Sequence, residues 1–254
     1  MNNQKSIDFN VIVQAFEIVK KQWQPFVTAG LLTFGAIFAV IMVFYMLLFG
    51  TVLVASQKPG AVFVMFPLMA ILYLGIFFIS ALAQAGFASM ALKCIRSETV
   101  VVSDFLVPLK TPVPFLLAAL IVTVATMAGV VACIVGSYVA AGLLMFVFPF
   151  MIDKKLSPMD AAKASFEALK PQWLMAACFW LVAGIVGGLG GIACGVGAVF
   201  TLPITYVAMA LVYRDLCMTP GSDAAAPVFV SPAETEIATS ELNTPSPTPE
   251  EPEA

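Results

Sequence analysis

The chain has 254 residues, of which 61% are hydrophobic and only 11% charged, with a mean hydropathy of +1.00 and a net charge of −3. About a quarter of the residues in soluble domains are charged, so this composition excludes a soluble globular protein and, being acidic, a nucleic-acid binder. It describes an all-α polytopic membrane protein, and the absence of histidine removes the commonest general base and metal ligand.

In chain order, residues 1–24 read as a cytoplasmic N-terminus carrying an amphipathic helix. Phe9, Ile12, Phe16, Val19 and Trp23 recur at spacings of three and four, opposite Asn10, Gln14, Glu17 and Lys21. Leading straight into a span, with Trp23 and two lysines at the join, it is expected to lie flat among the headgroups. No short apolar core with a small-residue cleavage pattern precedes it, so the first span is expected to stay in the mature protein.

A crossing takes roughly 20 apolar residues for a hydrocarbon core of about 30 Å. Spans are expected at about 25–55 and 61–92, parted by Ser56, Gln57, Lys58, Pro59 and Gly60. The segment Thr111 to Ile152 is 42 residues without a charge. As one helix it would reach about 63 Å at roughly 1.5 Å per residue, so it divides into spans 112–134 and 138–152 with a turn near Gly136 and Ser137. Pro171 to Tyr213 is likewise too long, and divides into 172–190 and 196–213 with its turn between Gly187 and Gly197. The six-span membrane domain covers 25–216.

Eleven of the twelve basic residues fall on one side of this arrangement, Lys58 being the exception. Basic residues mark cytoplasmic loops, so both termini are expected in the cytoplasm. Residues 217–254 differ in kind: from Pro220 on there are seven prolines, seven acidic residues and no Lys or Arg. This reads as a disordered acidic tail that either solubilises or docks a partner through Val228, Phe229 and Val230.

The first amphipathic segment recurs at residues 157–170. Ser157 caps, Pro158 opens the first turn, Asp160 stands at a capping-box position, and Met159, Ala162, Phe166, Leu169 and Trp173 form the apolar stripe. At an offset of 150, Ala15, Phe16, Glu17, Lys20, Gln22 and Trp23 align with Ser165, Phe166, Glu167, Lys170, Gln172 and Trp173, five of the six pairs being identical. A weaker copy starts at Ser103 and Asp104, runs through Phe105 and Leu106, and is cut short by Pro108. The chain therefore reads as three parallel units, each an interfacial helix before a transmembrane hairpin. Parallel units differ from the inverted repeats common among secondary transporters.

No residue set reads as catalytic, and no cofactor or metal site is expected. No acidic residue lies inside a predicted span. Cys94, Cys133, Cys178, Cys194 and Cys217 have no CxxC spacing and read as small packing residues. Gln84 is the one amide deep within the predicted spans, with Ser80 and Ser89 nearby; it either bonds a neighbouring helix or contacts a solute. The stretch Gly184, Gly187, Gly188, Gly190, Gly191, Gly195 and Gly197 is either a close-packing surface or, with Pro203, a broken helix lining a cavity. Pro158, Asp160 and Lys163 reproduce the PxDxxK spacing of mitochondrial carriers, but once and inside a capped helix, where those carriers need it in each repeat at the end of a span.

The run Leu156, Ser157, Pro158, Met159, Asp160, Ala161, then Ser165, Phe166 and Trp173, with the closing Gly195, Val196, Gly197, Leu202, Pro203, Tyr213, Arg214 and Asp215, resembles bacterial six-span integral membrane proteins of the YciC-like kind. Related domains are similar to the membrane part fused to some glycerophosphodiester phosphodiesterases. The resemblance covers residues 7 to about 216; it implies a six-helix fold in the bacterial inner membrane and no catalytic residues. Two functions are therefore carried forward. One is a non-enzymatic protein that organises or senses the cytoplasmic leaflet or supports an envelope assembly, with the lipid bilayer and a protein or second copy as partners. The other is a passive transporter or lipid-moving protein with a path between the hairpins near Gln84. An enzyme would have to work from Asp104, Asp153 and Asp160 at the interface.

Overall fold

The computed structural model describes residues 7, 9–55, 63, 65–132, 134–192 and 197–218. These are helical apart from turns and short links, with no strand among the described residues. The elements are α1 (Val11–Lys21), α2 (Trp23–Ala55), α3 (Met65–Ile95), α4 (Val102–Phe105), α5 (Val107–Lys110), α6 (Pro112–Ala132), α7 (Ile134–Leu143), α8 (Val147–Asp153), α9 (Pro158–Leu169), α10 (Trp173–Ile192) and α11 (Ala198–Cys217).

Six helical stretches are long and apolar enough to cross a membrane, and the protein is a multi-pass membrane protein. The fourth of them, Val135–Asp153, is made of α7 and α8. α2, at 33 residues, spans roughly 50 Å at about 1.5 Å per residue. It must therefore tilt or project beyond a hydrocarbon core of about 30 Å. Several boundaries differ from the sequence expectation. α3 begins at Met65 and runs to Ile95, beyond the expected 61–92, because Lys93 is held by an ion pair and the helix continues until Ser97 turns it in a left-handed conformation. α7 begins at Ile134, before the turn expected near Gly136 and Ser137. Gly136 is instead a contact residue: a Cβ on Gly129 would lie 2.7 Å from the Gly136 carbonyl, so only glycine permits these backbones to touch. Cys133, Cys194, Gly195 and the tail from 219 onward lie outside the described residues.

Helices adjacent in sequence pack side by side, α2 with α3, α6 with α7, and α10 with α11. α11 also lies against α2 and α3, α10 against α7, and α3 against α6 and α8, so the assembly closes on itself. Of the six spans, α11 is the most enclosed and α2 the least. The core is built from Phe26, Phe87, Phe146, Phe179, Leu211 and Tyr213 set against alanines such as Ala85, Ala91, Ala118 and Ala208. Small residues let helices approach where lipid offers no hydrophobic drive to do so.

The short helices each pack on a different pair. α1 lies on α11 and touches α2, α4 lies on α3 and α2, and α9 on α8 and α6. The apolar stripe expected on α1 is split: Val19 is buried with Val11 and Ala15, whereas Phe16 and Trp23 stay 55% and 49% exposed. α9 divides the same way, with Ala161, Ser165 and Leu169 buried and Met159, Phe166 and Trp173 exposed. Two apolar faces exist because the helices touch protein on one side and leave bulkier side chains on the other.

Candidate functional site: a cavity at a break in the fourth span

The fourth span is interrupted. α7 stops at Leu143, a turn covers Leu144, Met145 and Phe146, and α8 starts at Val147. Pro149 helps set the break, since its ring nitrogen has no hydrogen to offer the Met145 carbonyl four residues earlier, whereas a proline is tolerated in the first turn of the new helix. Breaking a helix inside a membrane strands backbone groups that water cannot reach. Here α9 supplies the partner. The Ser165 hydroxyl donates to the Leu143 carbonyl at 2.7 Å and accepts from the Phe146 N–H at 3.2 Å, and Ser165 itself is fully buried.

A cavity of about 110 Å³ lies at this break. A water molecule needs roughly 15 Å³ of such space, so several fit. Its walls come from five spans, and include Gln84 from α3, Thr126 from α6, Met145 and Pro149 at the break, Trp180 from α10 and Tyr206 from α11. No Asp, Glu, Lys or Arg lines it. Tyr206 is stacked on Phe87 at 5.3 Å between ring centroids, which fixes its ring. The Thr126 hydroxyl stays within its own helix, 2.9 Å from the Val122 carbonyl.

The remaining expected residues take structural places. Ser157 caps α9, accepting from the Asp160 N–H at 3.3 Å while its hydroxyl donates to the Asp160 carboxylate at 2.6 Å. Asp104 is buried, ion-paired with Lys93 at 2.7 Å, and accepts the Val101 N–H at 3.0 Å. Asp153, at the end of α8, pairs with Arg96 beyond α3 and accepts the Tyr213 hydroxyl of α11 at 2.9 Å. Asp104 and Asp153 thus hold elements together, and Asp160 closes the cap of its own helix. The Arg96, Asp153 and Tyr213 junction joins three spans at the charged end of the bundle, and nothing in their sequence spacing announces it.

Where it is described, the glycine-dense stretch is a contact surface, and the interrupted helix lies in the fourth span instead. α10 is continuous to Ile192, and a Cβ on Gly190 would lie 2.6 Å from the Gly197 carbonyl. Thr201 of α11 donates to the Gly187 carbonyl at 3.0 Å and Thr205 to that of Ala183 at 3.3 Å, whereas Gly184 and Gly188 face open space. Cys94, Cys178 and Cys217 lie on three different helices. No group of three acidic or cysteine side chains is close enough to hold a metal among the described residues. Nothing in the sequence singles out Trp180 or Tyr206, and Ser165 reads there only as a member of the repeat; the fold brings the first two to Gln84 and the third to the break.

No established family profile matches the chain, and no solved structure does. It is similar to the uncharacterized protein Rv2560 of Mycobacterium tuberculosis, 25% identical over 161 residues, which is 63% of this chain and 48% of that protein. The uncharacterized protein Mb2590 of Mycobacterium bovis is 24% identical over the same extent. The chain spans about half the length of the curated relatives it matches. The class defined by fold and composition is therefore a multi-pass helical membrane protein with a small uncharged internal cavity.

Proposed function

We propose that this is a non-enzymatic protein of the bacterial inner membrane, of the YciC-like kind, with both termini cytoplasmic. Its six spans act as three hairpins, each introduced by an interfacial helix, and it organises or senses the cytoplasmic leaflet or supports an envelope assembly there. The observation that carries this reading is the doubled pair of exposed aromatics, Phe16 on α1 with Trp23 at the start of α2 and Phe166 on α9 with Trp173 at the start of α10, each pair having a lysine between its members, Lys20 and Lys21 in the first and Lys170 in the second. Exposed aromatic side chains beside basic ones at the start of a span suit the headgroup layer, where the ring sits in the acyl boundary and the ammonium in water.

The test is depth. In proteoliposomes with brominated lipids, Trp23 and Trp173 should be quenched at headgroup level, and Phe16→Glu with Phe166→Glu should release both helices toward water without loss of the six spans. A deletion strain should then be complemented by the wild type and not by the double variant. Tryptophans that are already water-exposed in the wild type would overturn the proposal.

The cavity favours a second reading, a passive transporter or lipid-moving protein. It predicts solute flux or lipid scrambling in reconstituted vesicles that Gln84→Leu reduces, and silence across lipids and small solutes would end it.

A further inference from the structure

The cavity is notable for what its polar groups lack. The Gln84 amide, the Trp180 indole N–H and the Tyr206 hydroxyl make no hydrogen bond among the described residues, although they stand on three different spans and line one space. No buried side-chain nitrogen or oxygen among the described residues is without a partner. The tips of these three side chains therefore keep surface open to a water-sized molecule. Together they offer donors from all three residues and acceptors from the amide carbonyl and the phenol oxygen.

We propose that this cavity is a binding site for a small uncharged solute carrying an amide, carbonyl or hydroxyl group. Three features select that class. The walls hold no ionisable carboxylate, ammonium or guanidinium, so an ion would give up its hydration with no opposite charge to meet it. The lining is predominantly apolar with a few convergent polar groups, the pattern of small-molecule sites. The volume of about 110 Å³ accommodates a handful of heavy atoms. The site is also rigid on two sides: Tyr206 is held by stacking on Phe87, and the break in the fourth span is tied off by Ser165, so neither wall depends on the ligand for its hydrogen bonds.

The site names a ligand class for the transporter reading, on which its physiological use rests, but binding is measured apart from passage. Trp180 is its own reporter. The full chain, with Trp23→Phe and Trp173→Phe, is placed in nanodiscs and titrated with acrylamide, a neutral amide quencher, and with iodide, an anionic one. Acrylamide should quench Trp180 with a saturable component and iodide should not. Gln84→Leu should weaken the saturable component about fivefold, the change an ordinary hydrogen bond supplies. Ala141→Leu, which fills the cavity from α7 and leaves Gln84 intact, should abolish it, and far-UV circular dichroism should show both variants as helical as the parent. Quenching that is linear in acrylamide, that neither substitution alters, or that iodide matches would overturn the proposal. Saturable binding without flux in vesicles would instead retain the site and remove the transporter.

Discussion

Residues 150 apart occupy matching environments in α1–α2 and α9–α10. Val11 and Ala161, Ala15 and Ser165, Val19 and Leu169, Phe26 and Ala176, Ala29 and Phe179, and Thr33 and Ala183 are all buried, while Phe16 and Phe166, and Trp23 and Trp173, are all exposed. Volume is exchanged within the pattern. Phe26 and Ala29 face the core in one unit and Ala176 and Phe179 in the other, a large-small pair becoming a small-large pair, as close packing at fixed total volume requires. The two units differ where their surroundings differ. Ala15 sits on a helix that packs against the continuous α11, whereas Ser165 meets the broken fourth span and carries the hydroxyl that the break demands. Gly30 allows α2 to touch Val199, whereas its counterpart Trp180 fills out a cavity wall. A repeated scaffold keeps its burial pattern and spends its few divergent positions on the neighbour each copy happens to meet.

The sharpest way to break this comparison is to exchange the divergent side chains. Ser165→Ala strands the Leu143 carbonyl and the Phe146 N–H, each worth about 1–3 kcal/mol when left buried and unpaired. The thermal midpoint of the detergent-solubilised protein should fall by several degrees, while Ala15→Ser should change it little. Equal effects would mean that the break is not held by Ser165.

A smaller effect is expected at Gly30. A Cβ there would lie 2.9 Å from a Val199 methyl and 3.4 Å from the Val199 carbonyl oxygen, so Gly30→Leu should force α2 and α11 apart. Overpacking of this kind costs about 1–3 kcal/mol, visible as a lower monodisperse fraction on size-exclusion chromatography. Gly188→Ala, where nothing lies within 4 Å, should be neutral or mildly stabilising by the same measurement.

The smallest effect sharpens the comparison by using a position the units share. Gln22 accepts the Val100 N–H at 3.4 Å and Gln172 accepts the Ile7 N–H at 3.3 Å, so each holds the chain entering a short helix of another unit. Gln22→Leu and Gln172→Leu should each cost about 1 kcal/mol, with similar midpoint shifts; a marked inequality would show that one seam carries more of the stability.

Much of this was legible in the residues themselves. The helix start at Ser157, Pro158 and Asp160 follows from local chemistry, and the structure shows the cap. The 150-residue repeat was visible because identical side chains recur at one offset. The break at Leu144 to Phe146 was not, because a proline within an apolar run is compatible with a first turn, a kink or a break, and the deciding partner, Ser165, lies beyond a polar link on another helix. Gln84 stands out in the sequence as the lone deep amide, but whether it bonds a helix or faces a space depends on five spans at once.

What the sequence determined by itself is the solvent and the count: long runs without charge, of lengths set by the bilayer thickness, admit only helices that close their own hydrogen bonds, and clusters of lysine separate them into six. What only the tertiary structure decided is which helices touch. Contacts between α3, α8 and α11, the cavity they enclose with their neighbours, and the repair of a broken span by a distant serine all depend on shape complementarity between apolar surfaces. Hydropathy cannot distinguish those surfaces from ones that face lipid, because the transfer free energy is nearly the same in either environment.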